Sequence, residues 1–286
     1  MNAGETTLDV SELERLFAGA LPAAPETWAA FLDALESGAI APIIRNLDGT
    51  WEAVTWVKKA ILSGFKAGGM SAMPWPMAAE GAAQGQASGL AAGFFDRPAF
   101  PPRTFSLDDG IRVVPGGSSV RRGACIAKGV VIMPPSYINV GARVGEGTMV
   151  DSHVLVGSCA WIGSRVHLSA GVQIGGVLEP PQARPVVVED GAFIGGLCGI
   201  FEGVVVRKGA VLAPGVILSR STRIFDLVNG MELSGEVPEN AVVVPGARPA
   251  SGEFARERGI SLQAPCIVKY RDAGTDASVV LEAALR

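Results

Sequence analysis

Asp151 directly follows the aliphatic Val150, and His153 lies two residues beyond it. A carboxylate that faces outward can bind an ammonium group and then accept its proton. Imidazole titrates near neutral pH, so His153 can assist as a base or contact a ligand. Gly175-Gly176 supplies backbone N–H groups with no Cβ beside them, which suits close approach to an oxyanion. Ser169, just ahead of Ala170-Gly171, can line the same groove. Arg112 offers a fork for a carboxylate. Arg220, Arg223, Lys269 and Arg271 are cations that could meet phosphates. Each residue also has a plainer reading. Asp151 can be a solvated corner residue, Arg112 a surface arginine, the glycines an exit turn and each cation a solvated charge. His167, one residue before Leu168, reads as a structural hydrogen-bonding group.

What must hold these groups is set by a six-residue beat. Val120, Ile126, Ile132, Ile138, Val144, Val150, Val156, Ile162, Leu168 and Ile174 are ten consecutive hits, and the beat resumes from Val188 through Ile194, Ile200, Val206, Leu212, Leu218 and Ile224. Two residues before nearly every hit stands a small or β-branched residue, Ser136, Thr148 and Cys198 among them. This period marks a hexapeptide parallel β-helix, with aliphatics inside a triangular coil and small residues at its corners. Glycines at 123, 129, 141, 147, 171, 191, 203, 209 and 215 fall where corners need positive φ. The repeats account for five to six coils, a rod roughly 27 Å tall at a strand spacing of ~4.8 Å. Such a rod needs a cap at each end.

Recurrences at three and four residues predict helices over 8–66, with Asn46-Leu47-Asp48-Gly49 as a turn between helices. Residues 67–93, rich in Gly, Ala and Met, read as a connector, so 1–93 form a helical N-terminal domain with its connector. Residues 94–230 carry the solenoid, and 231–286 form a C-terminal cap ending in a helix near 277–285. Between Gly175 and Val187 the beat breaks into a polar, proline-stiffened stretch, expected to project as a functional loop. A net charge of −4 argues against nucleic acid, and no apolar run is long enough to span a bilayer. The four cysteines show no paired spacing, and Cys198 falls in the inward register. The N-terminus lacks a signal-peptide layout, so the expectation is a soluble cytoplasmic protein with reduced thiols.

Three functions compete for such a rod. A catalytic zinc takes three protein ligands plus water, but the chain has only His153 and His167, in different slots. No metal is therefore expected. A silent trimeric scaffold would show a clean repeat without a polar loop. Acyl transfer fits better, and several strings carry it: Arg112-Val113-Val114-Pro115, Gly147-Thr148-Met149-Val150-Asp151, Val166-His167-Leu168-Ser169, Ile174-Gly175-Gly176-Val177-Leu178-Glu179-Pro180, Trp56-Val57-Lys58-Lys59-Ala60 and Cys266-Ile267-Val268-Lys269. Together they resemble the tetrahydrodipicolinate N-succinyltransferase family over nearly the whole chain.

The resemblance implies a homotrimer of left-handed β-helices with sites between neighbouring rods. It implies transfer of a succinyl group from succinyl-CoA, a co-substrate and not a resident cofactor, to an amino-dicarboxylate of the diaminopimelate and lysine route. On this reading Asp151 is the substrate-binding and catalytic carboxylate, Gly176 helps at the oxyanion, and Arg112 and His153 contact the acceptor. Ser169, Gly175, Gly176, Arg220 and Lys269 contact the donor. One departure stands out. Common members read Gly-Ala-Arg-Ser-Glu where this chain has Gly195-Gly196-Leu197-Cys198-Gly199. An N-acetyltransferase on a related acceptor is the alternative enzyme.

Overall fold

The computed structural model describes residues 9–18, 25–73 and 94–271. From residue 112 the chain winds as a coil of two-residue strands, each hydrogen-bonded in parallel to strands about one turn away. Met149-Val150 pairs with Val131-Ile132 on one side and His167-Leu168 on the other. Leu155-Val156 and Trp161-Ile162 stack in the same way on their own neighbours. The result is three parallel sheets, called here the Met149, Leu155 and Trp161 faces in chain order. The 18-residue pairing interval equals three hexapeptides, so the sequence period and the strand register are one fact.

The beat residues fill the interior. Ile132, Val150, Leu168, Ile138, Val156, Ile174, Val144, Ile162 and Val188 are all fully buried. The polar residues of the inward small slot are satisfied between turns. Thr148 Oγ1 donates to the Gly163 carbonyl at 2.8 Å and accepts from Val166 N–H. Cys198 Sγ reaches the Ala213 carbonyl at 3.2 Å. The third residue after an inward aliphatic sits at the corner with positive φ, and all nine corner glycines expected there adopt it. His153, Cys159, Arg165 and Leu197 occupy the same slot at a steric cost.

The coil extends beyond the strict beat at both ends. Arg112-Val113 pairs with Val131-Ile132 below. Above, Glu236-Val237 and Val242-Val243 stack on Val205-Val206 and Val211-Leu212, after a hairpin excursion over 223–234. Cys266–Tyr270 then closes the Met149-face sheet, running antiparallel to Ala241–Val244 and parallel to Arg223–Asp226. The Asp226 carboxylate locks this end by accepting from Tyr270 Oη at 2.7 Å and Asn229 Nδ2 at 2.8 Å.

The N-terminal region is not helical throughout. Helices α1 (Val10–Ala18), α2 (Pro25–Ser37) and α3 (Thr55–Lys66) are interrupted by a hairpin, Ile43–Arg45 against Trp51–Ala53. Asn46–Gly49 is therefore the turn of this hairpin and not a link between helices. The Asp48 side chain accepts from Thr50 N–H and Oγ1, and Gly49 takes φ +82. The helical recurrences stop at Leu35 and resume at Trp56, and between them Ile43 and Trp51 face the rod, where they pack with Trp161, Val187 and Val205 on the Trp161 face. Leu13, Phe31, Leu32, Val57 and Ile61 form a second cluster, which seals onto Val140 and Cys159 of the coil. Ser71–Met73, at the start of the expected connector, pairs antiparallel with Phe94–Asp96. The remainder of that connector and the helix expected at 277–285 lie outside the described residues.

Candidate functional site

Asp151 directly follows the Met149–Val150 strand and sits at the corner leading to the Leu155 face, half-buried. Its backbone is fixed from both neighbouring turns: its N–H donates to Leu168 O at 3.0 Å and its carbonyl accepts from Ser136 Oγ at 2.8 Å. The Ser152 N–H donates to Oδ1 at 2.7 Å. Oδ2 accepts no hydrogen bond among the described residues, which leaves one carboxylate oxygen for a ligand. His153 is exposed on the same edge, with its N–H held by the Pro135 carbonyl at 2.7 Å. Its φ of +62 follows from the corner slot that it shares with other residues and is no separate sign of function. Val150 pairs with Leu168, so Ser169 lies one turn above Asp151 on this edge. Arg112 is exposed on the Met149 face two turns below, and its guanidinium has no partner among the described residues.

Gly175 and Gly176 stand elsewhere. They follow a Leu155-face strand at the next corner, a full face away from Asp151. Ser169 therefore does not share a groove with them within one chain. The structure also separates the two glycines. The N–H of Gly175 is spent on the Ile200 carbonyl at 2.8 Å, whereas the N–H of Gly176 makes no hydrogen bond among the described residues and the residue is exposed. Of the two glycines, only Gly176 therefore has a backbone N–H open to a ligand. Packing explains why glycine stands here, since a Cβ on Gly157 would fall on Gly176 N and one on Gly176 would lie 2.7 Å from Ser158 N.

The 175–187 stretch does not project. Leu178 packs against the helical cluster, Lys58 Nζ donates to the carbonyls of Pro180 and Ala183, and Arg184 Nε donates to the Gly203 carbonyl at 2.9 Å. The stretch was read as projecting because its polar and proline composition carries no sign of the helices against which it folds. It walls a cleft of about 590 Å³ with Trp51, Glu179, Arg184, Glu202 and Arg220. Arg184 escaped the sequence reading; it lies outside the repeat, and only its place in the cleft singles it out. Burial, partly offset by Glu236, pulls its pKa below the ordinary guanidinium value, and Arg220 and Arg207 add to the lowering.

The other cations divide. Arg220 lines the cleft, with its N–H on Glu202 Oε2 at 3.3 Å. Lys269 is exposed on the closing strand at the far end of the rod. Arg271 is turned to structure, because Nη1 donates to the Gly209 carbonyl at 2.8 Å. Arg223 faces Glu232 at 3.5 Å. His167 stacks on Phe193 with ring centroids 4.9 Å apart. Among the described residues no group of three or more His, Cys, Asp or Glu is placed to hold a metal, and no helix is long and apolar enough to cross a membrane.

The fold is a hexapeptide solenoid with a half-free carboxylate on one edge and an unspent glycine N–H one face away, and its sequence relatives are acyltransferases. Relatives make the class particular. The 2,3,4,5-tetrahydropyridine-2,6-dicarboxylate N-succinyltransferase of Bradyrhizobium diazoefficiens is 45% identical over 262 residues, covering 89% of this chain and 87% of its own length. That of Polynucleobacter asymbioticus is 44% identical over 262 residues, covering 90% and 88%. The chain belongs to this N-succinyltransferase family. No protein-family model matches it. Among solved structures, a putative 2,3,4,5-tetrahydropyridine-2-carboxylate N-succinyltransferase from Campylobacter jejuni aligns at 15% identity and TM-score 0.47, over 86% of this chain and 63% of that one. The family assignment rests on the sequence relatives.

Proposed function

We propose that this chain transfers the succinyl group of succinyl-CoA to the amine of 2-amino-6-oxopimelate, the ring-opened form of tetrahydrodipicolinate, on the route to diaminopimelate and lysine. The names of relatives 44–45% identical along nearly the whole chain support this donor and acceptor. The working form is a cytoplasmic homotrimer of left-handed rods, the rod spanning 94–230 between a helical N-terminal domain and a C-terminal cap. The observation that carries the trimer is the separation of Asp151 from Gly176 by a full face of one rod. Neighbouring rods, packed face to edge, bring one chain's Asp151 to the next chain's Gly176.

In that cleft the acceptor's carboxylate meets Arg112, and its ammonium meets the free oxygen of Asp151. Asp151 takes a proton, and the neutral nitrogen attacks the thioester carbon. A C–N bond forms while the carbonyl pair moves onto oxygen, where the Gly176 N–H receives it. The C–S bond then breaks as the carbonyl re-forms, and the second proton of the acylated nitrogen passes through water to the departing thiolate, so the products are the amide and CoA thiol. His153 and Ser169 line the acceptor side and the acyl entry; Gly175, Arg220 and Lys269 serve the donor.

The test is CoA-thiol release from succinyl-CoA and from acetyl-CoA, each with and without tetrahydrodipicolinate. Acceptor-dependent release from succinyl-CoA is expected, and Asp151→Asn lowers it by about 10²-fold, as loss of a general base does. Undiminished release by the variant removes Asp151 from the chemistry. Preference for acetyl-CoA makes the enzyme an acetyltransferase, and no release from either donor leaves a scaffold.

A further inference from the structure

Lys58 is fully buried in α3, among the largest side chains with no solvent contact. A buried ammonium ordinarily sits against a carboxylate, because removing it from water costs several kcal/mol. Lys58 has none within ion-pair distance among the described residues. Its neighbour is the Cys159 thiol, whose pKa is pushed up to about 12 by burial, so it remains neutral and supplies no counter-charge. The ammonium is held instead by two carbonyls, Ala183 O at 2.5 Å and Pro180 O at 3.3 Å. Those carbonyls belong to one turn, in which Ala183 N–H also donates to Pro180 O at 2.9 Å.

An aliphatic side chain of similar length would fill this space without a desolvation cost. What it could not do is bind the far side of the turn. At its start the stretch is pinned by the glycine contact between Gly157 and Gly176, and toward its end by Arg184 on Gly203. Lys58 fastens the middle, from behind, while Pro180, Gln182, Ala183 and Arg184 present their other side to the cleft. We propose that Lys58 is a positioning residue for acyl-donor binding. Its ammonium fixes the Pro180–Ala183 turn, and with it one wall of the cleft that also holds Arg220, a residue the donor reading assigns to CoA. The inference rests on the donor reading given above.

The test compares wild type with Lys58→Met, which keeps the length and removes the donors, and Lys58→Arg, which keeps charge and donors. Two readouts are taken: amide hydrogen exchange over 177–186, and KM for succinyl-CoA against kcat. Lys58→Met is expected to speed exchange in that stretch and to raise the donor KM about tenfold, with kcat changed less than about threefold and the acceptor KM unmoved. Lys58→Arg should restore part of both effects. Faster exchange with an unchanged donor KM overturns the inference, because the staple then serves the fold alone. Equal exchange and equal KM overturn it as well, and so does a fall in kcat with KM constant. Should Lys58→Met fail to fold, Lys58→Gln, which keeps one donor group without charge, is judged by the same two readouts. Wild-type protein that turns over no acyl-CoA would instead sink the donor reading and this inference with it, a result distinct from a working enzyme indifferent to Lys58.

Discussion

Gly199, in a Leu155-face strand, and Phe201, just after that strand, are packed as a pair. Gly199 takes the slot that the resemblance noted above fills with glutamate, and it is buried under the ring of Phe201. A Cβ on Gly199 would stand 2.5 Å from Phe201 Cε2 and 3.1 Å from Ile217 Cδ1. One on Gly175 would stand 2.8 Å from Phe201 Cδ1, so a single ring covers both glycines. Glycine and phenylalanine are therefore coupled, and restoring a side chain at 199 requires the ring to move. Gly199→Ala should cost about 1–3 kcal/mol of stability through overpacking. In a Phe201→Val background the same change should cost clearly less, which thermal melts of the four proteins in the double-mutant cycle will measure. Equal costs in both backgrounds would mean that the ring is not the obstacle. Glu202 does not stand in for the missing carboxylate, since it sits at the next corner on the Arg220 N–H.

Among the elements, the hairpin over 43–53 has the clearest energetic signature. Its Trp51 lies 5.2 Å from Trp161, centroid to centroid, and donates Nε1–H to Glu189 Oε1 at 2.9 Å. Burial would raise the pKa of Glu189, but hydrogen bonds from Trp51, Arg207 and the Lys208 N–H outweigh it and hold the carboxyl below its ordinary value of 4.5. A depressed carboxyl stabilises the fold fully above 4.5, and that contribution fades as pH falls through the folded-state value. Acidification below pH 4.5 should therefore loosen the hairpin, read as a red shift of tryptophan emission. Glu189→Gln should abolish that pH step while lowering the melting temperature at pH 7. A step of the same size in the variant would assign it to other carboxylates. The hairpin also marks the limit of what the sequence discloses. The rod was legible because each hexapeptide repeats one local solution, so the inward register, the corner glycines and the outward placement of Asp151 all follow from spacing. The hairpin and the packed-down 175–187 stretch were not, because their partners lie far away in sequence. Trp51 is matched to Glu189 and Lys58 to Ala183, and no period links such pairs. The free N–H of Gly176 was half legible: its glycine was visible, but which of the two N–H groups the Ile200 carbonyl claims needed three dimensions.

At the scale of the whole molecule, the proposed roles put the carboxylate on one edge of the rod and the oxyanion donor on another, so the proposed site is completed by a second rod. This makes the assembly testable without a structure of it. Asp151→Asn damages one edge of every chain. Gly157→Ala damages the other, because the added Cβ falls on Gly176 and drives its N–H from the mouth of the loop. In a closed ring each site takes one edge from each of two neighbouring chains. When the two variants are co-expressed in equal amount, a site is intact only if its carboxylate edge comes from a Gly157→Ala chain and its loop edge from an Asp151→Asn chain. Random assembly makes that about one site in four, so the mixture should recover about a quarter of wild-type activity, well above the average of the two variants alone. Mixing the separately assembled proteins should recover nothing. Co-expressed protein no more active than that average would mean that each chain completes its own site, and the face-to-edge trimer would have to be given up even if the rod and its chemistry stand.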